Sequence, residues 1–325
     1  MLNKVGWGLS MSFLLSCFVL GSLARADNYP TRQVKIVVGF SPGGGPDITA
    51  RLLGQKFSEK WGQSFVVENK PGAGANIASQ LVASSKPDGY TLLSVSNAFA
   101  ISPAIYSKLP FDPMKDFDAI TMTATGPALL IVSPNLKINT VAELISLAKK
   151  QPGKLTFSSA GVGSGSHFGA ELLKANAGLE LLHIPTKGIP EALTEVISGR
   201  VDFFISPYAS AVAMVRDGRA KAIGITSIKR FKEFPDLPTL SESGAPGYKF
   251  EFWYGLLAPA NTPKEILAQI ASEVKRVNEL PDVKERYQSL GIEPVSGTPE
   301  QFDKLIENEI KDLTRVAKLA KISAD

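Results

Sequence analysis

The sequence predicts an α/β protein of two lobes, in which each lobe is a mostly parallel sheet flanked by helices. Short apolar runs alternate with helical patterns along nearly the whole chain, which is typical of βαβ units. The 325 residues also correspond to about two domains of ordinary length. We expect residues 27–120 and 240–325 to form lobe 1 and residues 121–239 to form lobe 2, with hinge crossings near 120 and 240.

The first lobe begins with a predicted buried strand. Residues 34–40 are mostly apolar and β-branched without strict alternation, as in a strand that is covered on both faces. Apolar residues then recur at helical spacing from Ile48 to Trp61, which predicts a helix. The lobe continues with predicted strands at 65–67 and 90–95 and a predicted helix at 76–83.

A second series of strands and helices follows residue 120. Thr140 and Glu143 form a capping box that begins a helix ending near Lys150. The predicted strands of this series are 128–132, 155–158, 181–184, 201–205 and 221–225, and its other helices are 167–177, 191–198 and 208–216. Residues 229–248, rich in Pro and Gly, indicate a connection. After it come an aromatic strand at 250–257 and helices that begin at Thr262 and Thr298.

The amino terminus has the pattern of a secretory signal peptide. Lys4 precedes an apolar run that is strongest at 11–20, and residues 24–26 (Ala-Arg-Ala) form a small-x-small cleavage sequence. We expect residues 1–26 to be a signal peptide that is cleaved after Ala26, and the mature protein to work in a bacterial periplasm. A membrane anchor is the alternative, but the apolar stretch is short for a span.

Composition argues against several classes of protein. Removal of residues 1–26 takes away Lys4, Arg25 and Cys17, so the net charge falls from +4 to +2 and no cysteine remains. So small a charge, evenly spread, argues against a nucleic-acid partner. The two histidines lack a carboxylate at a zinc-motif spacing, and the glycine loops fail the nucleotide fingerprints. We expect no metal, no cofactor, no nucleic acid, and a monomer.

A glycine-rich loop separates the first strand from the first helix. Its three consecutive glycines let a ligand approach the backbone, and amides at the following helix start carry partial positive charge. Because the loop contains no Lys or Arg, it suits a carboxylate or another small anion held by N–H groups. The alternative is a tight turn in which Asp47 caps the helix. The candidate ligand-binding residues are Phe40, Ser41, Pro42, Gly43, Gly44, Gly45 and Asp47.

A second loop of this kind follows a strand of the other lobe, at residues 158–167. Its glycines alternate with serines, so it offers amide donors and neutral hydroxyls. Two such loops at the carboxyl ends of strands lie where α/β sheets bind ligands. The candidate ligand-binding residues of this loop are Ser159, Ala160, Gly163, Ser164, Ser166 and His167.

Other candidates follow further strands. Ser96 and Asn97 end the third strand and could supply a hydroxyl and an amide. Lys187 could face an anion, hold the loop or be a solvated turn residue. Asp202 lies within an apolar strand, where a carboxylate needs a partner. It could fix a binding loop or meet an amino group.

A periplasmic hydrolase is the competing hypothesis. Ser164 or Ser166 beside His167 could act as nucleophile and base. Position 162 is Val, however, so the Gly-x-Ser-x-Gly nucleophile elbow is absent. A histidine beside a helix start is more often a hydrogen-bonding or packing residue. The sequence therefore favours binding over catalysis.

These loops, in this order and behind a signal peptide, closely resemble the substrate-binding proteins of tripartite tricarboxylate transporters, the Bug family. The similarity covers the whole mature chain. It is carried by Tyr29-Pro30, Phe40-Ser41-Pro42-Gly43-Gly44 with Asp47, Asn69-Lys70-Pro71-Gly72-Ala73-Gly74-Ala75-Asn76-Ile77, Lys86-Pro87-Asp88-Gly89-Tyr90, Asp112-Pro113, the loop at 158–167, Pro185-Thr186-Lys187-Gly188 and Gly199-Arg200-Val201-Asp202. So many ordered motifs make the resemblance highly specific.

The resemblance implies a non-catalytic clamshell of the type II periplasmic binding fold. It implies that the lobes close on a small organic carboxylate and that the closed form docks on a membrane permease. The first glycine loop would hold one carboxylate through backbone groups and ordered water. Ser159, Gly163, Ser164, Ser166 and His167 would line the other side, with Thr186, Lys187 and Asp202 nearby. Thr186 stands where the family often has Tyr, which leaves the particular carboxylate open. A ligand-sensing co-receptor of a signalling system is a further alternative.

Overall fold

The computed structural model describes residues 29–324, so the predicted signal peptide and its cleavage after Ala26 lie outside the described residues. The strands in this range are β1 (Val34–Val38), β2 (Phe65–Asn69), β3 (Thr91–Ser96), β4 (Phe117–Val132), β5 (Thr156–Ser159), β6 (Leu182–Pro185), β7 (Phe203–Pro207), β8 (Lys221–Ile225), β9 (Glu251–Pro259) and β10 (Glu293–Pro294). The α-helices are α1 (Gly45–Trp61), α2 (Asn76–Ala83), α3 (Ala98–Ile105), α4 (Val141–Lys150), α5 (Gly165–Ala177), α6 (Ile189–Ile197), α7 (Tyr208–Arg216), α8 (Lys264–Glu279), α9 (Pro281–Ser289) and α10 (Pro299–Ala320). No helix of residues 29–324 combines the length and apolar character that crossing a membrane requires.

The predicted alternation of strands and helices is confirmed, and most bounds differ by a few residues. The helices α2 and α7 and the strand β8 have their predicted bounds. β4 is the largest difference, because it begins at Phe117 and the prediction began at 128. Its first part alternates threonines with apolar residues and so lacks the continuous apolar run used to find strands. The sequence also missed α3, which contains Pro103, and the short α9, which begins with Pro281.

The strands form one path of hydrogen-bonded neighbours, in the order β2-β1-β3-β9-β4-β7-β5-β6, and β8 and β10 also pair with β4. β1 is parallel to β2 and β3, and β5 is parallel to β6 and β7. β9 and β4 run antiparallel to their neighbours and join the two parallel groups. We call the β1–β3 group with β9 and its helices the first half, and the β5–β8 group with its helices the second half.

β4 and β9 carry the chain between the two halves. Residues of β4 up to Pro127 pair with β9, and from Ala128 onward they pair with β7 and β8. On the return, the Phe250 N–H donates to the Thr226 carbonyl oxygen at 3.0 Å, and pairing with β4 begins at Glu251. We infer that the chain crosses at these two points. They lie side by side, because Pro127 and Glu251 are register partners.

Buried apolar side chains hold the strands under helices on both faces of each sheet. In β1 only Lys35 is exposed, while the other four residues are fully buried. The carboxy-terminal helix α10 packs on the first half, where the rings of Phe302 and Trp253 meet edge to face with centroids 5.6 Å apart. Burial of apolar surface, at about 25 cal/mol per Å², stabilises this framework. The framework in turn holds the ends of the strands in place.

Candidate ligand-binding site

The loops that follow β1 and β5 meet between the two halves. Together with neighbouring segments they line a narrow cavity of about 20 Å³ that is partly open to solvent. The first half contributes Phe40, Gly44, Gly45, Pro46, Ser96, Phe252 and Tyr254, and the second half contributes Ala160, Ser164, Gly165, Ser166, Ile189 and Pro207. None of these lining residues carries a formal charge, so the described walls offer only neutral polar and apolar groups.

Three helices begin at this cavity. α1 begins after Gly44, α5 after Ser164 and α6 after Gly188, so the N–H groups of their first turns lie around it. Gly44 and Gly188 have no side chain that could cap these donors. The partial positive charge at a helix start favours an anion. The cavity therefore combines positive potential and hydrogen-bond donors without an ionised side chain.

Asp47 holds the first loop in shape. Its carboxylate accepts hydrogen bonds from the Gly43 N–H at 3.0 Å, from Arg51 Nε at 3.0 and 3.1 Å, and from Asn69 Nδ2 at 2.9 Å. Burial alone raises the pKa of Asp47, but these hydrogen bonds, that from Arg51 foremost, outweigh it and hold the pKa below its usual value. Gly43 has a φ of +90°, which favours glycine. Asp47 thus acts on the loop backbone.

The serines of the second loop bond to that loop's own backbone. The Ala160 N–H donates to Ser166 Oγ at 3.0 Å, and Ser164 Oγ donates to the Gly161 carbonyl oxygen at 2.6 Å. The hydroxyl oxygens of Ser164 and Ser166 are 3.1 Å apart. Both residues also line the cavity, so the loop presents them from a fixed backbone.

His167 and His183 form a stacked pair beside the second loop. Their ring centroids are 4.2 Å apart, and His183 stacks in turn on Phe157 at 4.8 Å. His167 Nδ1 accepts from the Gly163 N–H at 3.4 Å, and His183 Nε2 lies 2.6 Å from Ser159 Oγ. Burial lowers the pKa of His167 to about 4 and that of His183 to about 3, so both imidazoles are neutral at pH 7.

The hydrolase hypothesis requires a serine hydroxyl within hydrogen-bond reach of the His167 ring. In the part of the chain that the structure describes, Ser164 and Ser166 bond to backbone groups and to each other, and no hydrogen bond joins either hydroxyl to that ring. The contact between Ser164 and His167 is instead an N-cap, in which the His167 backbone N–H donates to Ser164 Oγ at 3.3 Å. This arrangement fits a helix start better than a nucleophile with its base.

A wider pocket of about 420 Å³ lies on the outer side of Phe40. It is lined by residues 71–75 of the first half and by Thr186 and Lys187 of the second. The Thr186 hydroxyl oxygen lies 2.8 Å from two backbone carbonyl oxygens, so this hydroxyl is used within its own loop. Lys187 is exposed and is the one charged residue among the described residues that line this pocket.

Direct hydrogen bonds join the two halves at the mouth of the cavity. Ser41 Oγ donates to the Lys187 carbonyl oxygen at 3.2 Å, and Ser210 Oγ donates to the Gly43 carbonyl oxygen at 3.0 Å. Both bonds connect a glycine loop of one half to a helix or loop of the other. The halves are therefore closed on each other in this structure.

Comparison with known proteins identifies the family. Residues 49–321 match the family described as "Tripartite tricarboxylate transporter family receptor". The chain belongs to this family. It is 32% identical to Protein BugT of Bordetella pertussis over 288 residues, which cover 88% of each chain.

Two solved structures of related receptors share this fold over nearly their whole length. R. palustris Rpa4515 with adipate has a TM-score of 0.88 and 34% identity, covering 91% of this chain and 99% of that one. MatC (Rpa3494) from Rhodopseudomonas palustris with bound malate has a TM-score of 0.83 and 32% identity, covering 89% of this chain and 99% of that one. The predicted two-lobed type II periplasmic binding fold of a solute-binding receptor is confirmed, while the predicted bounds of the lobes stay a prediction. Below, lobe 1 is the name for the first half and lobe 2 the name for the second half.

The receptor brings most of the predicted site residues to the cavity, its mouth or the outer pocket. These are Phe40, Ser41, Gly43, Gly44, Gly45, Ser96, Ala160, Ser164, Ser166, Thr186 and Lys187. Pro42, Ser159 and Gly163 belong to the same two loops but line neither of these two pockets. Asp47 and His167 lie next to them and hold the loops. Asn97 is buried, and its Nδ2 bonds to the Glu251 carbonyl oxygen at 3.4 Å. No group of three or more His, Cys, Asp or Glu that could hold a metal occurs within residues 29–324.

The structure does not bring Asp202 to this group. Its Oδ2 accepts from the Thr156 N–H at 2.7 Å and from Thr156 Oγ1 at 2.9 Å, at the start of β5. The cavity lies at the other end of the parallel strands, where Pro207 lines it. Five strand residues separate the two ends by about 16 Å. Asp202 therefore ties β7 to β5 far from the cavity.

Sequence reasoning missed several cavity residues, above all Phe252 and Tyr254 of β9. It gave residues 250–257 only as an aromatic strand. Because successive strand residues point to opposite faces, Phe252 and Tyr254 share the cavity side, while Trp253 packs on Phe302 on the other side. The period-two alternation was present in the sequence, but it could not show which face would meet the second lobe.

Proposed function

We propose that this receptor is exported to the periplasm, captures a small organic carboxylate between its lobes and delivers it to a permease of a tripartite tricarboxylate-type transporter. The observation that carries this proposal is the narrow cavity at the starts of α1, α5 and α6, with N–H and hydroxyl donors and no formal charge. Helix starts bind anions through exactly such backbone donors in many folds, without a cation.

A carboxylate suits this cavity chemically. A hydrogen bond to a charged acceptor contributes about 1.5–3 kcal/mol, so a few donors can replace the water that the carboxylate loses. The exposed Lys187 at the outer pocket attracts a second negative group of the same ligand. Two structural relatives support this chemistry, because Rpa4515 and MatC hold adipate and malate, which are both dicarboxylates.

The proposal includes no catalytic step, because Ser164 and Ser166 bond within their loop and Ser164 serves as the N-cap of α5 by accepting from the His167 backbone N–H. The leader pattern of residues 1–26 and the periplasmic binding proteins among the relatives support export. A monomer is sufficient for the proposed function, since both sides of the cavity come from one chain. A sensing role would use the same cavity with a different membrane partner.

The test is a thermal-shift screen of residues 27–325, refolded to remove any carried-over ligand. The acids are adipate, malate, citrate, tartrate, benzoate and nicotinate, and adipamide is the neutral control for adipate. An acid present at about 100 times its dissociation constant should stabilise the protein by about 2.7 kcal/mol, while its amide should not. A blank across all the acids, or equal stabilisation by adipamide, would contradict the proposed carboxylate receptor.

A further inference from the structure

Tyr254 reaches the cavity from β9, at the boundary between the lobes. Its side chain is 2% exposed, and its ring lies parallel to that of Phe252 with centroids 6.5 Å apart. The ring and hydroxyl lie directly against Gly45, where a Cβ atom would overlap the hydroxyl oxygen. Gly45 is thus required for the position of Tyr254, in addition to its place at the start of α1.

Within residues 29–324 no hydrogen bond joins the Tyr254 hydroxyl to a protein group, and its oxygen is not among the wholly buried atoms without a partner, so it opens to the cavity. Other buried tyrosines show the usual arrangement: Tyr248 Oη donates to the Gly169 carbonyl oxygen at 2.8 Å. Tyr208 and Tyr287 also lack a partner for their hydroxyls, but neither lines this cavity. A tyrosine hydroxyl that opens to a ligand cavity and makes no hydrogen bond to the protein points to a partner in the ligand.

Ser96 places a second hydroxyl beside that of Tyr254. The two residues are register partners in the antiparallel ladder of β3 and β9, and both line the cavity. Directly opposed residues have Cβ atoms about 5 Å apart on one face of the sheet. Ser96 Oγ accepts from the Ala98 N–H at 3.4 Å, which leaves its own hydrogen free to donate. Two hydroxyl donors therefore stand side by side near the start of α1.

We propose that Tyr254 determines specificity by donating a hydrogen bond, together with Ser96, to the ligand oxygens at the inner end of the cavity. This inference rests on the proposed function and assigns the inner end of the ligand as a carboxylate whose two oxygens meet the two hydroxyls. Burial raises the pKa of Tyr254 far above neutrality, so the hydroxyl keeps its proton and acts as a donor.

The experiment compares Tyr254→Phe with Tyr248→Phe as a matched control. Adipate and malate are titrated into each refolded protein by calorimetry, and each empty protein is unfolded in urea. Tyr254→Phe removes no internal hydrogen bond, so its stability should match the wild type while its affinity falls by roughly tenfold or more. Tyr248→Phe should lose stability, because the Gly169 carbonyl loses its donor, and should keep wild-type affinity.

The possible outcomes distinguish a failure of the proposed function from a failure of the role assigned to Tyr254. If the wild type binds neither acid nor any other acid of the screen, the proposed function fails and this inference fails with it. If the wild type binds an acid and Tyr254→Phe binds it equally well, the role of Tyr254 is overturned while the receptor function stands. Gly45→Ala, which displaces the tyrosine ring, should weaken the same acids, and unchanged affinity in that variant would also contradict the inference.

Discussion

At the scale of single residues, the candidate site depends on side chains that never touch the cavity. Asp47 is the main example, because it fixes Gly43 by a 3.0 Å hydrogen bond and is itself held by Arg51 and Asn69. A negative side chain facing the cavity would repel a carboxylate. Turned onto the loop backbone, the same charge instead fixes the donors that surround the ligand.

Replacing Asp47 therefore tests whether it acts as a support. Asp47→Ala should lower the free energy of unfolding by about 2 kcal/mol, since it leaves Arg51 and the Gly43 N–H without their acceptor. It should also weaken carboxylate binding. Urea unfolding measures the first effect, with Asp217→Ala, at an exposed ion pair with Arg219, as the control. Equal stability of the two variants would argue against the supporting role.

The stacked histidines predict a pH dependence of stability. The unfolded state protonates its histidines near pH 6.5, whereas His167 and His183 in the folded state do so near about 4 and about 3. Between these values the unfolded state binds more protons, so the free energy of unfolding falls as pH falls. The expected slope is up to about 1.4 kcal/mol per pH unit for each histidine.

His183→Phe isolates this effect, because it keeps a ring stacked on Phe157 and removes one titrating group. Its loss of stability between pH 6.5 and 5, followed by urea unfolding, should be about half that of the wild type. An unchanged slope would show that the half-buried imidazole of His183 does not contribute.

The two glycine loops were predictable from sequence because each follows an apolar strand and precedes a helix, which is where α/β sheets bind ligands. Tyr254 was not predictable in this way. A tyrosine in an aromatic strand has the same local pattern whether it meets a core or a cavity. Only the pairing of β9 with β3, which sets Tyr254 opposite Ser96, shows that it meets the cavity.

At the scale of elements, the strands position the candidate site, because its loops follow the ends of strands. Whether a residue lies near the cavity depends on the end of the strand at which it stands. The sequence predicted the parallel groups correctly because their strands are short apolar runs buried on both faces. It could not determine in which direction Asp202 would point along its sheet. The residue precedes β7, so it lies at the end opposite to the cavity.

Asp202→Ala should therefore mainly lower stability, whereas Lys187→Ala should mainly weaken carboxylate binding. Loss of Asp202 removes two hydrogen bonds to Thr156 and should cost about 1–2 kcal/mol of stability, with little change in carboxylate affinity. Loss of the exposed Lys187 should leave stability unchanged and weaken dicarboxylates more than monocarboxylates. Urea unfolding and calorimetric titration of both variants check the pattern. If Asp202→Ala bound carboxylates more weakly without a loss of stability, the result would support Asp202 as a ligand-binding residue after all.

At the scale of the whole molecule, we propose that function depends on closure of the lobes about the strands β4 and β9. A ligand that contacts both lobes binds the closed state more tightly than the open state. The ratio of these two affinities sets how far the equilibrium shifts towards the closed state. Gly188 of lobe 2 lies against Ser41 of lobe 1, and a Cβ at 188 would lie 2.6 Å from Ser41 Cβ. Gly188 has an extended backbone with φ −177°, so alanine is tolerated within lobe 2 itself.

The most direct test of a receptor that closes on a carboxylate is calorimetric titration of three proteins with an acid found in the screen. Gly188→Ala should bind roughly tenfold more weakly than the wild type, because the overlap with Ser41 opposes closure. The double variant Ser41→Gly, Gly188→Ala should recover most of the affinity, since the nearest remaining atom, the Cα of residue 41, is 3.6 Å away. Wild-type affinity in Gly188→Ala, or no recovery in the double variant, would contradict binding by closure of the two lobes.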